Sequence, residues 1–214
     1  SFSMAALFAI SPNKKEISFI HRGDVFVTSI DYGTTKRITD TPEQERSVSF
    51  SPDGETLIYA AERDESWNIY MTKHDRDGEK YFYNSTLLKE EELVNNGEET
   101  FQPKFSPNGE EVAFLENRTT LRVINIDNKK IRTVMDGDYN YSYSDGDQYF
   151  TWAPDSKWLL VQFFEYKRWT SDIGLVNANG KEKPINLTKS GYGNGVPKFA
   201  MDGQMVYYST GKYG

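Results

Sequence analysis

The densest chemistry in this sequence lies in Asp136-Gly137-Asp138-Tyr139-Asn140-Tyr141-Ser142-Tyr143-Ser144-Asp145-Gly146-Asp147, which mixes three tyrosines with four aspartates. Asp136, Asp138 and Asn140 alternate as the start of a calcium loop does. Position six is Tyr141, where the tight turn needs glycine, and position twelve is Asp147 instead of a bidentate glutamate, so no metal is expected there. A second unusual stretch is Phe164-Glu165-Tyr166-Lys167-Arg168-Trp169, and a third runs from Arg63 to Trp67. Amphipathic rings beside charges are the composition of a binding surface. Catalytic constellations are missing from the sequence. His21 and His74 are the two histidines, and neither has His or Cys partners at metal-ligand spacing. No Gly-x-Ser-x-Gly elbow and no phosphate-binding Gly-rich loop occurs, so no catalytic residue, metal or cofactor is expected. Arg22-Gly23-Asp24 matches an adhesion tripeptide, but a Gly-Asp turn between two strands explains it.

Composition narrows the classes further. The 214 residues are 37% hydrophobic and 14% aromatic, enough to bury a core. With 25 Lys and Arg against 32 Asp and Glu, the net charge of -7 would repel a phosphate backbone, and nucleic acid is not an expected partner. The longest apolar run, Ala5 to Ile10, falls far below the ~20 residues of a bilayer-crossing helix, so no membrane insertion is expected. Zero cysteines fit a reducing cytoplasm and a bacterial periplasm equally.

The elements that must position these residues come from an internal repeat. An aromatic or aliphatic residue, a small residue, Pro, Asp or Asn, and then Gly or a polar residue recurs five times. The copies are Ile10 to Lys14, Phe50 to Gly54, Phe105 to Gly109, Trp152 to Ser156 and Phe199 to Gly203, the last with Met201 in place of Pro. Their spacings of 40, 55, 47 and 47 residues, counted between the first residues of successive copies, are those of four-stranded propeller blades. Pro presets φ for a tight turn and Asp or Asn with Gly completes it, so each copy joins two antiparallel strands. Second strands are expected at Ile17 to Ile20, Leu57 to Ala61, Val112 to Leu115, Leu159 to Phe163 and Met205 to Tyr208. Third strands follow at Val25 to Val27, Ile69 to Met71, Leu121 to Ile126 and Ile173 to Val176. Polar fourth strands close the units at Arg37 to Thr39, Glu92 to Val94, Ile131 to Val134 and Ile185 to Thr188.

The expected fold is therefore all-β: a β-propeller of four-stranded antiparallel blades, about four and a half of them, over residues 1–214. Blades are expected at about 4–40, 46–96, 101–135 and 148–189, with an incomplete one at 195–214. An incomplete ring leaves an open edge through which self-association is conceivable. A twisted sandwich of meanders is the alternative. The charged segment Lys73 to Glu99 lengthens the second unit; part of it must be the outer strand, and the rest is expected to be a solvated loop.

The Phe50-Ser51-Pro52-Asp53-Gly54 turn, with the strand that ends at Tyr59 and the Trp67 to Tyr70 strand, resembles propeller repeats of the TolB and tricorn type, a WD40-like architecture. The stretch from Ala9 to Phe50 resembles the amino-terminal propeller of secreted tricorn-like serine peptidases of Gram-negative bacteria, through Ile10-Ser11-Pro12, His21 to Val27 and Thr35 to Thr39. The resemblance implies a periplasmic or secreted, non-catalytic propeller that acts as scaffold and gate or guide for peptides. Its partners would be a C-terminal serine peptidase core of the same polypeptide and a peptide or protein ligand. Two alternatives stay open. One is a free-standing TolB-like periplasmic interaction module. The other places the blades before an α/β-hydrolase domain, as in dipeptidyl peptidases, or has a propeller that itself acts as lyase or glycosidase.

In a meander, the turns between first and second and between third and fourth strands share one face, and the remaining loops share the other. That second face would collect Arg63, Trp67, Tyr139, Tyr141, Tyr143, Asp145, Asp147, Tyr166, Arg168 and Trp169 as a ligand- or partner-binding rim. Alternatively, these rings pack between blades and the aspartates are solvated.

Overall fold

The structure is a computed structural model, and it describes residues 8–140, 148–165 and 170–211. Four antiparallel sheets of four strands and one of two account for nearly all of its regular structure. The first sheet runs β1 (Phe8–Ile10), β2 (Glu16–His21), β3 (Asp24–Ser29) and β4 (Thr35–Arg37), and the second β5 (Glu45–Phe50), β6 (Thr56–Arg63), β7 (Ser66–His74) and β8 (Leu88–Val94). The third contains β9 (Thr100–Phe105), β10 (Glu111–Glu116), β11 (Thr120–Asn125) and β12 (Ile131–Met135), and the fourth β13 (Phe150–Trp152), β14 (Trp158–Phe163), β15 (Asp172–Asn177) and β16 (Ile185–Asn186). The last pairs β17 (Gly193–Ala200) with β18 (Met205–Gly211). Neighbours in sequence are neighbours in each sheet, as short hairpin connections require. Among the described residues no helix is long and apolar enough to cross a membrane.

The repeat builds these sheets through its serine. At Ser51 the Oγ accepts the Thr56 N–H at 2.9 Å and donates to the Asp53 carboxylate, which also accepts the Glu55 N–H at 3.0 Å. Ser11 and Ser106 repeat the pattern with Asn13 and Asn108. Gly54 and Gly109 take φ of 78° and 76° at the end of the turn, and Lys14 and Ser156 take the same left-handed conformation at 59° where the sequence lacks glycine.

The second strands β6, β10 and β14 are buried on both faces. Leu57, Ile58, Tyr59, Ala60 and Ala61 of β6 are all fully buried, which is why they read as an unbroken apolar run. Two of the four fourth strands end earlier than their sequence suggests, while β8 and β12 reach their expected ends. β4 stops at Arg37 and β16 at Asn186, so Thr39 and Thr188 lie outside the ladder. In both sheets the threonine hydroxyl replaces a backbone carbonyl as acceptor: Thr39 Oγ1 takes the Val25 N–H at 2.9 Å and Thr188 Oγ1 takes the Ile173 N–H at 3.2 Å. The ladder closes on a side chain and the strand is released. Ile126 likewise falls just past β11.

The insertion in the second sheet is not the solvated loop its charge suggests. Between β7 and β8, a 3-10 turn at Phe82–Asn84 places Phe82 with no exposed surface, stacked on His74 at 4.3 Å between ring centroids. The buried Glu16 carboxylate accepts the Tyr83 N–H at 3.0 Å, and Lys36 Nζ donates to the Ser85 carbonyl. The polar residues of 75–81 surround one apolar anchor.

Packing divides the chain into two compact units, Ser1–Phe105 and Ser106–Gly214. In the first, Val25, Val27, Phe50, Leu57, Tyr59 and Phe82 share a core, while Ala60, Trp67 and Phe101 form a smaller one. In the second, Leu115, Leu121, Phe150, Trp152, Leu159 and Phe163 belong to one cluster.

Candidate functional site

Of the ten residues expected on a binding rim, Arg63, Trp67 and Tyr139 lie among the described residues; Tyr141, Tyr143, Asp145, Asp147, Tyr166, Arg168 and Trp169 lie outside them. Arg63 and Trp67 sit on opposite strands of the β6–β7 hairpin, where Arg63 pairs with Ser66 and Glu62 with Trp67. Arg63 is mostly buried: Nη1 lies 2.8 Å from Glu45 Oε1, Nη2 lies 3.5 Å from Glu90 Oε2, and the guanidinium stands 5.2 Å over the Tyr70 ring. Trp67 is 9% exposed, packs on Phe101 at 5.7 Å and carries the Arg46 guanidinium at 5.1 Å from its ring. Both side chains engage their own unit. Tyr139, in a 3-10 turn at Gly137–Tyr139, tilts against Phe163 at 6.0 Å and half-covers the core of the second unit.

The ionisable groups around Arg63 form one network. Burial raises the Glu45 carboxyl above its usual range, opposed by hydrogen bonds from Arg63, Thr39 and Thr41. Burial, then the Glu90 charge and hydrogen bond, pushes the Tyr59 hydroxyl up, and Tyr59 Oη lies 2.6 Å from Thr72 Oγ1 while donating to Glu90. Burial with Glu92 pushes Tyr70 up to about 12. Raised phenols and a paired arginine hold protons through the neutral range, and the network ties β5, β6, β7 and β8 together.

His74 occupies an apolar niche. Burial lowers its pKa, and neither ring nitrogen has a hydrogen-bond partner although Glu79 Oε2 lies 3.9 Å from Nδ1. Among the described residues no three His, Cys, Asp or Glu side chains converge to hold a metal ion.

A cleft that sequence reasoning did not single out opens in the second unit. It measures about 500 Å³ and is lined by Glu111, Arg132, Ser156, Lys157, Trp158, Asn177, Ala178 and Asn179. Arg132 forms a two-pronged pair with Glu111 at 2.7 and 2.8 Å, and its Nε donates to the Ala178 carbonyl at 2.6 Å. These residues come from the start of β10, from β12 and from the β13–β14 and β15–β16 turns. Trp158 directly follows a repeat turn, the one sequence signal that could have pointed here.

No family model matches the chain. A tricorn-like protease C-terminal subunit of Sulfurisphaera tokodaii is 25% identical over 203 residues, covering 94% of this chain. Among solved structures, the tricorn protease aligns with TM-score 0.68 and 14% identity over 96% of this chain, and TolB of Acinetobacter baumannii with 0.63 and 18% over 94%. This chain is built of β-propeller blades similar to those of TolB and the tricorn protease. It spans about a fifth of the curated relative and of the tricorn chain, and about half of TolB. Each propeller blade described here is one consecutive meander, and the Pro-centred turns that mark it in sequence join its first two strands.

Proposed function

We infer that this chain is a non-catalytic propeller part of a tricorn-like peptidase, serving as scaffold and guide for peptides that reach a serine peptidase core elsewhere in the same polypeptide. One observation carries it: the tricorn-like relative matches along 94% of this chain, yet that match is only 21% of the relative's length. The described side chains support a scaffold, since Arg63, Glu45, Tyr59 and Trp67 spend their functional groups on holding strands. A place in the periplasm or outside a bacterial cell belongs to the same proposal, and fractionation of the native host tests it.

The test is to assay the 214-residue chain and its full-length parent on a short fluorogenic peptide and on a long unfolded one. The isolated chain should cleave neither. Deleting residues 1–214 from the parent should alter the ratio of long to short cleavage. Cleavage by the isolated chain, or an unchanged ratio, would refute the proposal. A parent lacking any peptidase core would favour a TolB-like interaction module.

A further inference from the structure

The cleft in the second unit has an unbalanced hydrogen-bond inventory. Its acceptors are nearly all in use: both Glu111 carboxylate oxygens by Arg132, Asn177 Oδ1 by the Asn179 N–H at 3.0 Å, and Asn179 Oδ1 by the Lys181 N–H at 2.8 Å. The Ala178 carbonyl is taken by Arg132 and the Asn177 carbonyl by the Gly180 N–H at 3.1 Å. Ser156 Oγ accepts the Asn108 N–H at 3.0 Å, which leaves its own proton to give. The donors are not in use. Among the described residues, Lys157 Nζ, Trp158 Nε1, Asn177 Nδ2 and Asn179 Nδ2 have no partner within the protein.

A cleft in which the protein has consumed the acceptors and left the donors selects a ligand made of acceptors. Arg132 and Lys157 against Glu111 also leave it locally positive within a chain of net charge -7. Partly exposed Trp158 supplies an apolar wall, and the volume suits a few peptide residues. We propose that this cleft binds the carboxylate of a peptide, with Lys157 and the Asn177 and Asn179 amides as donors and the Trp158 ring against the adjoining side chain. Gly180 keeps the cleft's outer turn tight: its φ is +72°, and a Cβ there would meet the Thr133 carbonyl oxygen at 2.2 Å. The ligand chemistry is read from the cleft itself and does not depend on a peptidase parent.

A carboxylate can come from an acidic side chain or from a chain terminus, and three probes separate them: Ac-Ala-Glu-Phe-Ala-NH2, Ac-Ala-Gln-Phe-Ala-OH and the neutral Ac-Ala-Gln-Phe-Ala-NH2. Each is titrated into the 214-residue chain while the Trp158 indole N–H resonance is followed, assigned by its loss in Trp158→Phe. At least one acidic probe should shift that resonance saturably and bind roughly tenfold more tightly than the neutral probe, as charged-group hydrogen bonds imply. Preference for the first identifies a side-chain carboxylate, and preference for the second a C-terminus. Lys157→Glu and the near-isosteric Asn179→Asp, which keeps the oxygen that accepts the Lys181 N–H, should each weaken that binding while the circular dichroism spectrum stays unchanged. Equal binding of the neutral probe, no shift with any probe at millimolar concentration, or unchanged affinity in both variants would overturn the proposal, whatever the cleavage assays show.

Discussion

At the scale of single residues, the hydroxyl of the repeat serine is the turn's hub. Ser51→Ala leaves the buried Thr56 N–H without an acceptor, a loss of about 1–2 kcal/mol. Urea unfolding should show that shift. The fourth turn carries Ala153 instead, with the same N–H to carbonyl bond to Trp158 at 2.8 Å, and Ala153→Ser should give a smaller gain, because stripping an acceptor from a buried N–H costs more than adding one to a turn that folds without it. His74 supplies a pH effect. Its folded pKa lies below the ordinary 6.5, so the unfolded chain takes the proton first; stability is full above about pH 6.5 and falls as the pH drops below it. Glu79 and Glu55 oppose the shift but do not reverse it. Thermal melts at pH 7.5 and 5.5 should therefore differ less in His74→Phe, which keeps the ring on Phe82, than in the parent chain. An equal difference in both would assign the effect elsewhere. Sequence showed Pro, Asp and Gly as turn residues, but the serine's double role needs the strand geometry that follows it. Likewise, Trp67 beside Arg63 reads as a wet surface until Phe101 and Glu45, distant in sequence, are seen to cover them.

At the scale of elements, apolar second strands are legible because β6, β10 and β14 are buried on both faces, and their apolar runs are broken only by Gln162 of β14. Fourth strands are less so. Ile38-Thr39 and Leu187-Thr188 look like strand residues by composition, yet their threonines end the ladder by accepting its next N–H. The insertion is opaque in sequence for a different reason: its charges are solvated, and a lone Phe82 between Tyr81 and Tyr83 gives no periodicity from which burial can be read. Its energetic weight is large. Phe82→Ala empties a fully buried ring site between His74 and Phe50, at a cost of about 3–5 kcal/mol. Hydrogen exchange across residues 75–87 should accelerate in that variant well before the β6–β7 ladder is affected. If both accelerated together, the insertion would be part of the same cooperative unit as the sheet.

At the scale of the whole molecule, five recurring turns, four of them Pro-centred and the last with Met201, make the blade repeat legible in sequence, since each turn is local. What the repeat does not specify is how well each sheet is covered. β18 shows the difference: Tyr207 is 56% and Tyr208 44% exposed, whereas Leu160 and Val161 at the corresponding positions of β14 are almost wholly buried. Among the described residues β18 pairs only with β17, and an isolated two-stranded hairpin is marginal in water. β17 packs on the fourth sheet, through β14 and β15. Amides of β18 should thus exchange by local opening, orders of magnitude faster than those of β6 or β14, which open only with their units. Exchange followed by mass spectrometry on the 214-residue chain distinguishes the cases: fast exchange confined to β17–β18 fits a sheet held from one side, while protection equal to β14 would mean that another copy or segment covers Tyr207 and Tyr208.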